Sequence, residues 1–259
     1  MRRIEIEDVA GVRLLTLTHE KYTNPIGKQT AADLMKALAE ADRDDGVSAV
    51  VVTGGRDRCF SAGGDFNEAR MLLDDDIVDE TIAWCTDMYL AVLNCGKPAV
   101  AAVDHHAIGL GFQLAMMFDW KIMSSRADFI MPELEHGIGA SVGATVLTTT
   151  CSYDVARHVI MSCQPIGPEA ALRYTMVDEV CEPEFLIDRA VARARRLGSY
   201  PRIAFAGTKR VSTEPMRTAL QRTLPASQAV HRNGFKAKAM HKHFRRVLGT
   251  SDEKAVDAN

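Results

Sequence analysis

Phe60-Ser61-Ala62-Gly63-Gly64-Asp65-Phe66 is the stretch on which the fold turns. It follows an apolar strand candidate, Ala49-Val50-Val51-Val52, and a polar turn from Thr53 to Arg58. Small residues and a double glycine leave the main chain nearly bare, so a ligand can approach backbone N–H groups closely. A second stretch repeats the pattern: Pro98-Ala99-Val100-Ala101-Ala102-Val103 runs on to Ala107-Ile108-Gly109-Leu110-Gly111-Phe112. Two strand-to-glycine-turn units can aim two amides at one oxygen, the geometry of an oxyanion hole. Ordinary strand–turn–helix corners fit the same local spacing.

Outward from these turns, the chain alternates strand and helix patterns to about residue 180, which argues for an α/β fold, and is mostly helical from Pro168 on. The N-terminal segment reads as a hairpin, Ile4 to Ile6 and Val12 to Leu17. Thr30 is expected to cap a helix with Leu34, Met35, Leu38 and Ala41 on one face. A helix is expected from Phe66 to about Leu73, an acidic break at Asp74-Asp75-Asp76, and a longer helix from about Ile77 to Leu93. Phe129-Ile130-Met131-Pro132-Glu133 ends a short apolar strand. Gly137 to Gly143 should turn into a helix over Ala144 to Thr150. Breaks are expected at Pro183, Pro201 and Pro215, before a last helix from about Met216 past Phe244.

At 259 residues the chain suffices for one large core or two small domains. With 47% hydrophobic and 25% charged residues it has an ordinary globular composition. The formal charge of −3 supplies no strong field for nucleic acid or an anionic membrane. Six cysteines without CxxC spacing point to a reducing cytoplasm and not to a disulfide scaffold. No apolar run is long enough for a membrane span, and Met1-Arg2-Arg3 leads into a strand pattern, not a signal sequence.

Glu133 is the best acid–base candidate, because the apolar residues before it would desolvate its carboxylate and raise its pKa. A surface glutamate at a strand end is the plainer alternative. Gln113 lies in the apolar run Phe112 to Phe118, so its amide either supports the core or faces a polar cavity. His231 can bind a ligand carboxylate or serve as a helix-packing histidine. His105-His106 and His241-x-His243 lack a third ligand, so no metal is expected.

Together, Phe60 to Asp65, Ala107 to Ala115 and Met131-Pro132-Glu133 resemble the crotonase (enoyl-CoA hydratase/isomerase) superfamily, with the motifs in family order from Ile4 to about Gly249. The resemblance implies a spiral of ββα turns over residues 1–195 and a C-terminal helical trimerisation region over residues 196–259. It implies an acyl-CoA thioester substrate, no permanently bound cofactor, and a homotrimer or dimer of trimers. Carried onto matching positions, the oxyanion donors fall on Gly64 and Leu110. The substrate contacts fall on Ala62, Gly63, Asp65, Gln113 and His231. The loop from Lys21 to Asn24 and the backbone near Ala62 would take the adenosine of CoA.

Family hydratases use two glutamates, and here Gln113 occupies the first position and Glu133 the second. An amide shuttles no proton at neutral pH, which favours an enolate mechanism with one carboxylate. Ser61 to Glu68, Ala107 to Gln113, Met131 to Gly139, Ser199-Tyr200-Pro201 and Ala229-Val230-His231 resemble one branch more closely. That branch joins malonyl-CoA to L-glutamate semialdehyde, in equilibrium with pyrroline-5-carboxylate, in carbapenem antibiotic biosynthesis. Thr81 is a departure, standing where that branch carries tryptophan, with Trp84 nearly one turn later. Rival readings are an enoyl-CoA hydratase or isomerase and, since some proteins of this fold bind RNA, a nucleic-acid binder; the slightly acidic chain opposes the last.

Overall fold

The computed structural model describes residues 3–65 and 75–236. The alternating apolar residues at the N-terminus form an antiparallel pair, β1 (Ile4–Val9) and β2 (Val12–Leu17), with Ile6 opposite Leu15. There follow α1 (Lys28–Arg43), β3 (Ala49–Thr53), α2 (Asp75–Asn94), β4 (Ala99–Val103), β5 (His106–Ile108) and α3 (Leu110–Ala115). Next come β6 (Trp120–Ser124), β7 (Asp128–Ile130), α4 (Ser141–Thr150), α5 (Tyr153–Ser162), α6 (Pro168–Arg173) and β8 (Glu179–Cys181). A 3-10 turn at Pro183–Phe185 then leads into α7 (Leu186–Gly198), α8 (Arg202–Ser212) and α9 (Glu214–Lys236).

The main sheet has the order β1-β2-β3-β4-β6-β8 and is parallel from β2 onward. Its central strands are buried on both faces, which explains why they are unbroken apolar runs instead of alternating ones. The two-residue period sorts them between two cores. Val50, Val52, Ala101 and Val103 join α1 and α2 in the larger core. Val51, Val100 and Ala102 meet Leu186, Ala190 and Ala194 of α7 on the other face. The small parallel pair β5–β7 stands beside this sheet, and a bridge from Ala107 to Ser61 ties it to the first glycine turn.

Helix α2 buries Val78, Ile82, Cys85, Tyr89, Val92 and Leu93, the i, i+3, i+4 stripe of an amphipathic helix. Helix α9 packs across α2 and α4. Arg232 of α9 grips Asp79, with Nη1 2.6 Å from Oδ2, and Lys236 Nζ lies 2.6 Å from Asp75 Oδ2.

Several local expectations are corrected. The first long helix starts at Lys28 after an extended Gly27, so Thr30 lies buried inside its first turn and is not the cap. Asp75 and Asp76 are not a break but the first turn of α2, where carboxylates face the positive end of the helix dipole. The break expected at Pro215 lies at Thr213, between α8 and α9 and just before that proline. Pro215 itself sits in the first turn of α9, where its missing N–H removes no intrahelical bond. The helix after the glycine-rich turn begins at Ser141, three residues early. The expected helix at 66–73 and the last helix beyond Lys236 lie outside the described residues.

Candidate active site

The two glycine turns are stitched to one another. Ser61 N–H donates to His106 O at 3.1 Å, and Ile108 N–H donates back to Ser61 O at 2.9 Å. This contact requires bare backbone: a Cβ added at Gly63, where φ is +93°, would lie 2.8 Å from Ile108 O and 3.7 Å from Leu110 N. A Cβ at Gly111 would lie 2.5 Å from Ser61 O. The neighbouring amides are consumed. Gly63 N–H donates to Ser61 Oγ at 3.1 Å, and Asp65 N–H to Ile26 O at 3.1 Å. Gly109 N–H donates to Ile130 O at 2.8 Å. The N–H groups of Gly64 and Leu110, by contrast, meet no acceptor among the described residues.

Both residues line a cavity of about 890 Å³, which Ala62, Gly63, Asp65, Gln113, Glu133 and His231 also line. All eight residues expected from the sequence therefore share one chamber. Its walls come from the first glycine turn, from β5 and α3, from the turn after β7, and from α2, α4 and α9. Ala62 N–H donates to Thr23 O at 2.8 Å, so the loop expected to take adenosine adjoins the chamber. Asn24 anchors that loop with φ of +46°, and its Nδ2 donates to Gly54 O and Cys59 O at 2.8 Å each. Such a left-handed conformation is one that asparagine tolerates well.

Glu133 follows β7 and faces Gly109 across the β5–β7 ladder; a Cβ on Gly109 would lie 3.1 Å from its Oε1. Gln113 Nε2 donates to Oε1 at 2.9 Å, while Oε2 is buried with no partner among the described residues. Burial pushes the Glu133 carboxyl up from 4.5 to about 7, and hydrogen bonds from its own backbone N–H and then from Gln113 restrain the rise. A carboxyl that titrates near neutrality is poised to exchange protons with a bound substrate or water.

His231, on α9, is held by a 2.7 Å bond between Nδ1 and Ser227 O. A carbonyl can only accept, so Nδ1 carries the proton and Nε2 is the nitrogen left for a ligand. Burial lowers the pKa of this histidine, so the unliganded ring is neutral at pH 7.

Two wall residues, Tyr89 and Val142, were not singled out in the sequence. Tyr89 is fully buried and donates its hydroxyl to Gln113 Oε1 at 3.0 Å. Trp84 and Val142 also line the chamber. A hydroxyl on the apolar stripe of α2 was the available signal for Tyr89, since a buried phenol needs an acceptor. Elsewhere, Asp57, Asp104 and His105 bring possible metal-ligand atoms within 4.8 Å of one another. Arg126 already pairs with both of those carboxylates, so the cluster is a salt-bridge network. Among the described residues no helix is long and apolar enough to cross a membrane.

Comparison with known proteins agrees with this geometry. The enoyl-CoA hydratase/isomerase family matches over residues 7–252. Carboxymethylproline synthase of Pectobacterium carotovorum subsp. carotovorum is 45% identical over 238 residues, 92% of this chain and 95% of that protein. A probable enoyl-CoA hydratase of Mycobacterium avium is 34% identical over 202 residues, 77% of each chain. Among solved structures, ThnE from S. clavuligerus superposes with a TM-score of 0.78 at 27% identity, covering 88% of this chain and all (100%) of that one. A bare pair of backbone amides, one buried carboxyl and family-wide similarity lead to one assignment: the chain belongs to the enoyl-CoA hydratase/isomerase family, the crotonase superfamily.

Proposed function

We propose that this chain is a carboxymethylproline synthase. It decarboxylates malonyl-CoA, adds the resulting enolate to pyrroline-5-carboxylate, and hydrolyses the thioester to carboxymethylproline, in carbapenem antibiotic biosynthesis. The observation that carries the reading is a single buried carboxyl, Glu133, whose neighbour at 2.9 Å is the amide of Gln113 and not a second acid. The 45% identity to the Pectobacterium enzyme supports the same reaction.

In this reading the thioester oxygen lies between the Gly64 and Leu110 N–H groups. Loss of CO₂ leaves the electron pair of the broken C–C bond on the enolate, whose negative oxygen those two donors stabilise. Removing one such donor raises the barrier by about 3–4 kcal/mol. The enolate carbon attacks the imine carbon, C2 of 1-pyrroline-5-carboxylate, the C=N π pair moves to the ring nitrogen, and that nitrogen takes up a proton from water. Glu133 Oε2, which has no partner among the described residues, then accepts a proton from water as that water attacks the thioester carbonyl. CoA leaves as the thiol. Gln113 keeps Glu133 in place, and His231 holds the amino-acid carboxylate through Nε2, taking up a proton as that anion binds.

Residues 1–195 serve in this reading as the catalytic spiral and residues 196–259 as a trimerisation region. Ile203, 90% exposed, and Val211, 72% exposed, support an apolar contact between copies on α8. Six free cysteines and the biosynthetic role support a cytoplasmic setting.

Mass spectrometry of products from malonyl-CoA plus glutamate semialdehyde tests the proposal. Carboxymethylproline, CoA and CO₂ should appear together, and Glu133→Ala should abolish carboxymethylproline formation. Rapid hydration of crotonyl-CoA, with no carboxymethylproline, would replace the proposal with a hydratase.

A further inference from the structure

The contacts of Gln113 run in one direction. Tyr89 lies on α2, fully buried, and its O–H has two acceptors in reach: Gln113 Oε1 at 3.0 Å and the more distant Leu110 O at 3.5 Å. On its other side Gln113 Nε2 donates to Glu133 Oε1 at 2.9 Å and lies 3.6 Å from Met131 Sδ. A primary amide has one accepting end and one donating end. If it turned over, its oxygen would face the Glu133 carboxylate, two acceptors without a proton between them. Its nitrogen would face the phenol, whose hydrogen would have only the long contact to Leu110 O. Two protein groups break this symmetry, the Glu133 carboxylate and the phenol hydrogen. Burial also holds the Tyr89 hydroxyl well above its ordinary pKa, so it stays a donor throughout the working pH range.

We infer that Tyr89 is a positioning residue: its hydroxyl fixes the orientation of the Gln113 amide and so keeps an N–H on the ionised form of Glu133. The consequence for turnover rests on the function proposed above, whereas the orientation of the amide does not. The other titratable groups facing this chamber are Cys85 of α2, His136 in the turn after Glu133, His231 of α9, and Asp65 of the first glycine turn; Lys28 and Glu80 pair with each other at its edge. The hydrogen-bonded route from Tyr89 to Glu133 runs through the Gln113 amide.

The test is the titration midpoint of Glu133 itself. It is followed by NMR in protein labelled with ¹³C at the glutamate side-chain carboxyl, and the resonance is identified by its loss in Glu133→Gln. In Tyr89→Phe the midpoint should rise by about half a pH unit or more, because only the carboxylate itself then holds the Gln113 N–H toward it. Thioester hydrolysis should then fall about twofold near pH 7 and recover above pH 9, as expected for a base with a higher midpoint. In Gln113→Ala, adding Tyr89→Phe should move the midpoint no further. An unchanged midpoint in Tyr89→Phe, or an equal rise in the Gln113→Ala background, would overturn the assignment. If Tyr89→Phe fails to fold, replacing all five tyrosines with 3-fluorotyrosine, a stronger donor of the same shape, should lower the midpoint; no movement there would also overturn it. Absence of carboxymethylproline formation would count against the proposed function, while the midpoint comparison alone decides the role of Tyr89.

Discussion

Replacing Glu133 with glutamine should make the protein more stable in base than in acid relative to wild type, while destroying turnover. The carboxyl titrates at about 7 in the folded chain against an ordinary 4.5. Between those values the folded state holds a proton that the unfolded state has lost, so wild-type stability falls as pH rises. The gap spans about two and a half pH units at about 1.4 kcal/mol each, or about 3 kcal/mol of folding free energy forgone above pH 8. At pH 5 most of that penalty has vanished. Glutamine carries no charge to desolvate, so this loss is absent from Glu133→Gln. Any fixed cost of placing an amide where Oε2 is buried without a partner among the described residues is the same at both pH values. The stability difference, variant minus wild type, should therefore be about 2–3 kcal/mol more favourable at pH 8 than at pH 5. Urea unfolding of both proteins at those pH values, at matched protein concentration, measures it. A difference that does not change with pH would refute the claim that Glu133 is ionised at the expense of folding.

Three further outcomes follow from the same geometry. His231→Ala should raise the semialdehyde KM while sparing malonyl-CoA decarboxylation, and the wild-type KM should climb as pH rises through the histidine range, because a carboxylate requires the protonated ring; equal losses in both reactions would leave His231 a packing residue. Gly109→Ala should cost about 1–3 kcal/mol of stability for a side chain at φ +52° and slow turnover severely, since the new methyl would lie 3.1 Å from Glu133 Oε1; near-normal kcat would show that the carboxyl has room to move. Lys209→Met should cost about 3–5 kcal/mol in urea unfolding by stranding Asp119, which Lys209 Nζ contacts at 2.7 Å, and Lys209→Met with Asp119→Asn should recover part of it.

The glycine turns, the apolar approach to Glu133 and the amide in the first acid position were legible because each is a local pattern of a few residues. The split of β3 and β4 between two cores was legible only as burial, since an unbroken apolar run has no polar face to mark its direction. Tyr89 escaped the sequence reading because its partner lies 24 residues away, so its hydroxyl marked a need for an acceptor without saying which one. The helix starts were misjudged for a different reason. Thr30 and Pro215 are strong local signals, but the start of each helix is set by what its buried face meets, and both residues fit within a first turn.

The parallel pair β5–β7 acts as a ruler. Ile108 is in register with Ile130, so the amide two residues beyond one strand and the carboxyl three residues beyond the other are spaced by sheet geometry, about 4.8 Å between strands, and not by loop conformation. With that separation built into the main chain, exchanging the side chain at position 113 alters the chemistry without disturbing the measure.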